Sequence, residues 1–318
     1  MRIETAREIK AELRRRTVVL HQQLQPPREP VGGVATGICV LGSGTYGVAV
    51  RTFGQSELAS GIADASRELA GDECDVRDVG MVRALQWDPG ELQGRHRPLR
   101  PGLSISHLDV SAGTIGAFVT PADGDGSVVA VLSNNHVLAD SDRGAAGDVV
   151  VQPGTADGGA APDDRIGALD LAVTLDPDRP NLVDAATAKL DDGVQVEAVH
   201  PAGELTGWST VIDDLEVEKA GRTTGLTRGR VSAIELDGIS VQYPSGVIDF
   251  DDQIEVTGAA ATGFSAGGDS GSVVYRPDTR EAIGLLFAGS EYGGENGQGL
   301  TYCNPIGAVL ESLRVRLL

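Results

Sequence analysis

The sequence predicts a mainly β protein preceded by a small α/β unit, on three observations. Glycine is abundant at 43 residues while aromatic residues make up only 4%, a balance that favours short strands and turns over long helices. From Leu103 onward, short apolar runs such as "GTIGAFVT", "VVAVLSN", "AATAKL" and "RVSAIEL" alternate with segments rich in Gly, Asp and Pro, the texture of a sandwich or barrel. Before that point, helical and strand patterns alternate instead. At 318 residues and 41% hydrophobic content, the chain can bury two or three compact units.

The elements follow in order. Ile9, Leu13 and Leu20, with arginines between them, predict a surface helix over residues 4–24. "GVATGICVL" and "YGVAVRTF" predict two strands. Between them "GSGTYG", Gly42 to Gly47, has the glycine spacing of a dinucleotide-binding loop. Such a loop must open a helix, and Val48, Ala49 and Val50 prefer a strand, so a hairpin turn is expected. "SELASGIADASRELAG" predicts a second helix and "CDVRDVGMVRAL" a third strand, closing an α/β unit at residues 1–86. "DPGELQGRHRPLRPG" has no periodicity and reads as a linker, assigned to 87–103.

Charge restricts the partners. There are 46 acidic residues against 26 basic ones, a net charge of -20, which excludes nucleic acid as a partner because its phosphates demand a basic surface. Only Lys10, Lys189 and Lys219 are lysines; an acidic, lysine-poor surface points to a salt-adapted (halophilic) protein. No run approaches the roughly 20 apolar residues of a membrane span. The opening "MRIETAREIKAELRRR" lacks the apolar stretch of a secretory signal. Cys39, Cys74 and Cys303 are an odd number without metal or redox spacing. A cytoplasmic protein with reduced thiols and no metal or organic cofactor is expected, and assembly into a homo-oligomer is left open.

The chemistry centres on "FSAGGDSGSV", Phe264 to Val273, where Ser270 lies between small neighbours. A serine hydroxyl is a poor nucleophile and needs a positioned base, itself oriented by a third group. Of the five histidines, His21 lies on the first helix, His96 in the linker, and His107 and His200 beside turns. His136 differs, because it stands where the apolar strand of "VVAVLSNNHVLAD" breaks into polar residues.

"LSNNHV" followed by "GDSGS" resembles the trypsin-like serine protease family, whose chain order is His, Asp, Ser. "KAGRTTGLTRGRV", Lys219 to Val231, is similar to the segment that opens the second barrel in bacterial members. The resemblance covers residues 104–318 and implies two six-stranded antiparallel β-barrels. Residues 104–195 would form the first, carrying His and Asp, and 196–318 the second, carrying Ser. "RPLRPGLSISH…GTIGAF" resembles the intracellular branch that includes the plant narrow-leaf protease, which also carries an extra N-terminal region.

The resemblance implies a serine endopeptidase acting on protein or peptide substrates. His136 is the implied base, Ser270 the nucleophile, and the Gly268 and Ser270 amides the oxyanion hole. Two aspartates compete for the orienting role: Asp170 in "IGALDLAVTL" and Asp184 in "NLVDAATAKL". Asp184 opens a strand after a loop containing Pro180 and Asn181, whereas Asp170 falls inside an apolar run, so Asp184 is favoured. Phe264, six residues before the serine, is the implied floor of the specificity pocket, and Phe287, Ala288 and Gly289 its wall. That lining predicts cleavage after small or medium apolar residues, unless Glu291 or Glu295 supplies a charge.

Two departures accompany the resemblance. Ser272 and Val273 stand where the family continues with Gly-Pro or Gly-Gly. In zymogen-activated members the aspartate before the serine pairs with a newly cut N-terminus; here an α/β unit precedes the barrels, so Asp269 is expected to have another partner. A protease fold used as a scaffold or held latent is the rival reading, and an esterase the third.

Overall fold

The computed structural model describes residues 1–318 apart from 24–32, 81, 83–89, 125, 213, 260–262 and 296. The N-terminal part comprises α1 (Ile3–Gln23), β1 (Val34–Gly42), β2 (Thr45–Thr52), α2 (Glu57–Ala70) and β3 (Cys74–Asp78). β1 and β2 pair antiparallel about a turn in which Gly44 has φ +67°, a conformation that suits glycine. β2 and β3 pair in parallel, which requires a crossover, and α2 supplies it. Ser56 caps α2 by accepting from Ala59 N–H at 3.0 Å. Leu58, Ala59, Ile62 and Ala65 then pack with Leu13, Val48 and Val50. The predicted third strand ends at Asp78; its residues 81 and 83–85, and 87–89 of the predicted linker, lie outside the described residues.

The remainder builds two sheets. Its first elements are β4 (Ser104–His107), β5 (Gly113–Thr114), β6 (Ala117–Pro121), β7 (Ala130–Ser133), the one-turn helix α3 (Asn135–Leu138), β8 (Val149–Val151), β9 (Arg165–Ala172) and β10 (Ala186–Leu190). Three short strands follow: β11 (Val199–His200), β12 (Gly203–Glu204) and β13 (Gly207–Trp208). Then come β14 (Glu216–Gly221), β15 (Gly225–Asp237), the hairpin β16 (Ile239–Tyr243) and β17 (Gly246–Phe250), and β18 (Gln253–Gly258). β19 (Val273–Tyr275), β20 (Glu281–Gly293), β21 (Gly299–Pro305), α4 (Ile306–Leu313) and β22 (Val315–Leu317) complete the chain.

One sheet runs β22-β6-β7-β10-β9-β8-β4-β5 and curls into a half-barrel around a core that includes Phe118, Val131, Ile166 and Ala188. The other runs β14-β19-β20-β21-β18-β15 and closes through the β14–β15 pairing, giving a six-stranded barrel. The mainly β, two-barrel architecture predicted from the sequence is therefore present, with the first barrel curled rather than closed. β15 is 13 residues long, and its far end pairs with β1 through Ile38↔Ile234 and Cys39↔Ala233. β1, β2 and β3 thus extend the second barrel's sheet. At the other terminus β22 pairs with β6, and α4 buries Ile306, Val309, Leu310 and Leu313 against Val119, Ala130 and Leu132 of the half-barrel.

Candidate active site

His136 sits on α3, which opens just after β7 with the buried pair Asn134, its N-cap, and Asn135. Asn135 Nδ2 donates to Asp142 Oδ1 (2.6 Å) and Val173 O (2.8 Å), and Asp142 N–H donates back to Asn135 Oδ1 at 3.1 Å. Asp140, Ser141 and Asp142 all have positive φ, between 50° and 66°, so the chain after α3 is held in a strained bend. This lattice of side-chain bonds fixes the short helix that presents the imidazole.

Asp184 is fully buried just before β10. His136 Nδ1 lies 2.5 Å from its Oδ2, and the His136 backbone N–H donates to its Oδ1 at 3.2 Å. The aspartate's own N–H donates to Asn304 Oδ1 (2.9 Å), and its carbonyl accepts from Asn134 Nδ2 (2.7 Å). Burial alone would raise the carboxyl pKa; the charge of His136 and hydrogen bonds from His136 and Tyr243 outweigh it and hold the group below its usual value. Asp170 is on the exposed outer side of β9, in a groove with Asp123 and Arg314. The carboxylate at His136 is Asp184.

Ser270 lies in the tight turn leading into β19. Its carbonyl accepts from Thr114 N–H at 2.8 Å, which draws the turn against β5. Gly113 marks the meeting point: a Cβ there would stand 2.4 Å from Val137 Cγ2 and 3.0 Å from Ser270 O. The segments carrying His136 and Ser270 therefore close on one glycine. Ser270 Oγ is turned towards Phe287 O, at 3.5 Å.

Gly268 has φ +91°, and a side chain on it would run into Arg222 and Thr223. Its carbonyl accepts from Thr114 Oγ1 at 2.8 Å, and the Gly267 carbonyl accepts from Thr223 Oγ1. With those oxygens occupied on one side, the Gly268 and Ser270 N–H groups donate to none of the described residues. Buried amides without partners are rare, and these two are the N–H groups that the resemblance assigns to an oxyanion hole.

Asp269 is the anchor of that turn. It is fully buried and accepts from Lys219 Nζ (3.1 Å), Thr224 Oγ1 (2.6 Å) and the N–H groups of Thr223 (2.8 Å), Thr224 (3.2 Å) and Ala266 (2.9 Å). Burial pushes the Lys219 pKa down, with Asp269 opposing the shift. The unnamed partner of Asp269 is thus Lys219. The lysine in "KAGRTTG", in a chain with only three lysines, was the available signal for it.

Of the predicted pocket residues, Phe264 lies in a different core from Phe287 and Ala288. Phe264 packs in the second barrel's core with Val217, Leu286 and Cys303, and Lys219 Nζ lies 5.9 Å from its ring centroid. Phe287 and Ala288 belong to a separate cluster with Tyr243, Phe250, Val79 and Val82. Gly289 is buried and stands opposite Thr301 across β20 and β21, and Thr301 Oγ1 is 2.7 Å from Ser265 Oγ. Of the two acidic residues considered, Glu295 is engaged by Arg230 (2.6 Å) and Arg77 (3.4 Å), and Glu291 is exposed. Tyr243, whose hydroxyl donates to Asp184 Oδ2 at 2.6 Å, had no sequence signal.

Solved structures now place the fold. A glutamic acid specific serine protease described as utilizing a novel histidine triad in substrate binding matches with TM-score 0.50 at 18% identity, over 69% of this chain and all of the other. Nocardiopsis protease matches at 21% identity and TM-score 0.48, and Thermobifida fusca Protease A at 19% and 0.47, each over 69% of this chain and 99% of theirs. The fold is the trypsin-like one. No protein-family model and no curated protein matches the chain.

Proposed function

We propose that the protein is an intracellular serine endopeptidase in which Ser270, His136 and Asp184 act as a catalytic triad. The observation that carries this reading is the 2.5 Å His136–Asp184 contact, with the Ser270 turn meeting the helix that bears His136 at Gly113 and with the Gly268 and Ser270 amides donating to none of the described residues. His136 takes the Ser270 Oγ proton as Oγ bonds to the peptide carbonyl carbon. The C–N bond then breaks, and the leaving amine takes that proton from His136. Water, deprotonated in turn by His136, attacks the acyl ester and releases the acid, and the proton returns to Ser270. The Gly268 and Ser270 amides hold the oxyanion; losing one such donor costs about 3 kcal/mol of transition-state stabilisation. Asp184 keeps the imidazole in the productive tautomer. The three free thiols favour a reducing compartment.

A latent protease fold is the second reading, favoured by two observations. Ser270 Oγ faces a carbonyl, and Val79 and Val82 of the N-terminal part share a cluster with Phe287 and Ala288. A fluorophosphonate probe decides between them. Stoichiometric labelling that Ser270→Ala abolishes is expected of the enzyme. An unlabelled, folded wild-type protein would reject it.

A further inference from the structure

We propose that Tyr243 is a positioning residue for the Asp184–His136 pair, an assignment that rests on the protease reading above. Its hydroxyl donates to Asp184 Oδ2 at 2.6 Å, the same oxygen that meets His136 Nδ1 at 2.5 Å. Its ring also meets the imidazole edge-on, with centroids 5.8 Å apart and planes at 66°. One side chain therefore touches both partners: it fixes the carboxylate by a hydrogen bond and limits the tilt of the imidazole by contact.

Tyr243 is itself held from three directions. Its ring stands 6.2 Å from that of Phe250, which stands 4.7 Å from that of Phe287, the residue whose carbonyl faces Ser270 Oγ. The neighbouring Gln242 N–H donates to Val82 O at 3.3 Å, and Gln242 Nε2 donates to the Tyr243 carbonyl at 2.9 Å. The N-terminal part thus grips the hairpin β16–β17 one residue from the tyrosine. Burial, reinforced by the Asp184 charge, raises the phenol pKa well above its usual value, which favours the protonated, donating hydroxyl.

Tyr243→Phe keeps the ring and removes only the donor. A hydrogen bond to a charged, buried group controls about ten- to hundredfold in an equilibrium, so kcat is expected to fall by roughly that factor with KM nearly unchanged. Because the hydroxyl acts through the carboxylate, Tyr243→Phe added to Asp184→Asn should cost almost nothing further. The His136 Nδ1 proton, followed by NMR, should shift in Tyr243→Phe. Should that variant not fold, 3-fluorotyrosine at position 243 preserves the shape, alters the acidity of the hydroxyl, and must still move the same proton. Wild-type kcat in Tyr243→Phe, fully additive losses in the double variant, or an Nδ1 proton unmoved by either replacement would overturn the assignment. A wild-type protein inert to peptides and to fluorophosphonate would instead reject the protease reading, and the Nδ1 proton is read without turnover.

Discussion

At the scale of single residues, the choice between two aspartates can be tested without ambiguity. Asp184→Asn would present an amide where the imidazole needs an acceptor, and kcat is expected to fall about 10⁴-fold. Asp170→Asn, on the exposed outer side of β9, should change it less than twofold, roughly the scale of an innocuous surface change. Steady-state kinetics on the two variants check this, and reversed outcomes would reject the proposed triad. Specificity is expected to be set near Gly289. The hydroxyl pair of Ser265 and Thr301 stands across from Gly289, and Glu295 is already engaged by two arginines. An unpaired cation there would lose several kcal/mol of solvation. A peptide-library profile should therefore favour small uncharged residues such as Ala, Ser, Thr and Val; a profile dominated by Arg or Lys would reject this expectation. The His136–Asp184 contact and the tight turn at Ser270 were legible because they leave local patterns: a strand breaking into polar residues, a strand opening, a serine among glycines. Tyr243 was not, since it reaches Asp184 across 59 residues of sequence. The place of Phe264 in the second barrel's core was hidden for a related reason: a position counted along the chain says nothing about which core its side chain enters.

At the scale of elements, the N-terminal strands are bound to the second barrel by a buried ion pair. Arg51 on β2 makes two hydrogen bonds to Glu255 on β18 (2.8 and 2.9 Å), and its Nη2 also donates to Asp75 on β3 at 2.9 Å. Arg51 and Glu255 are both fully buried. Burial by itself would lower the Arg51 pKa; the adjacent Glu255 and Asp75 overcome it and raise it. Arg51→Met would strand the Glu255 charge in the interior, at a cost of about 3–5 kcal/mol. Arg51→Met with Glu255→Met removes both charges and should regain much of that loss. Urea unfolding measures both; a single-variant cost below about 1 kcal/mol, the range of exposed pairs, would mean that the pair does not hold β2 to the barrel. The element types of this region were legible from periodicity. Their attachment was not, because β1 pairs with the far end of β15, about 200 residues away. β22 repeats the lesson: three C-terminal residues cross to the first sheet, which no local pattern announces.

At the scale of the whole molecule, pH and salt act through different groups. His200 is buried, and its pKa is lowered to about 4 by that burial. The unfolded chain, with a histidine near 6.5, binds the proton more readily. Stability linked to His200 is therefore complete above pH 6.5 and is lost as the pH falls from 6.5 through 4, by about 3 kcal/mol in all. His200→Phe, facing the same Tyr275 ring, should flatten that loss in urea titrations at pH 7 and pH 4; an unchanged slope would rule it out. Salt addresses the net charge of -20. The buried pairs Arg51–Glu255, Lys219–Asp269 and Arg222–Asp157 cancel internally, so nearly all of the excess lies at the surface. Exposed pairs such as Arg165–Asp191 and Arg276–Asp278 contribute at most about 1 kcal/mol each, and salt weakens them. Repulsion among the unpaired carboxylates acts over a longer range, and it too is screened as the Debye length falls from about 10 Å at 0.1 M to about 3 Å at 1 M. With 46 acidic residues against 26 basic ones, repulsion outweighs the lost pairs, so salt should stabilise the fold. The melting temperature is expected to rise by several degrees between roughly 0.1 M and 1 M potassium chloride. A flat or falling melting temperature over that range would mean that the surface pairs outweigh the excess charge, and the halophilic reading would fail with it.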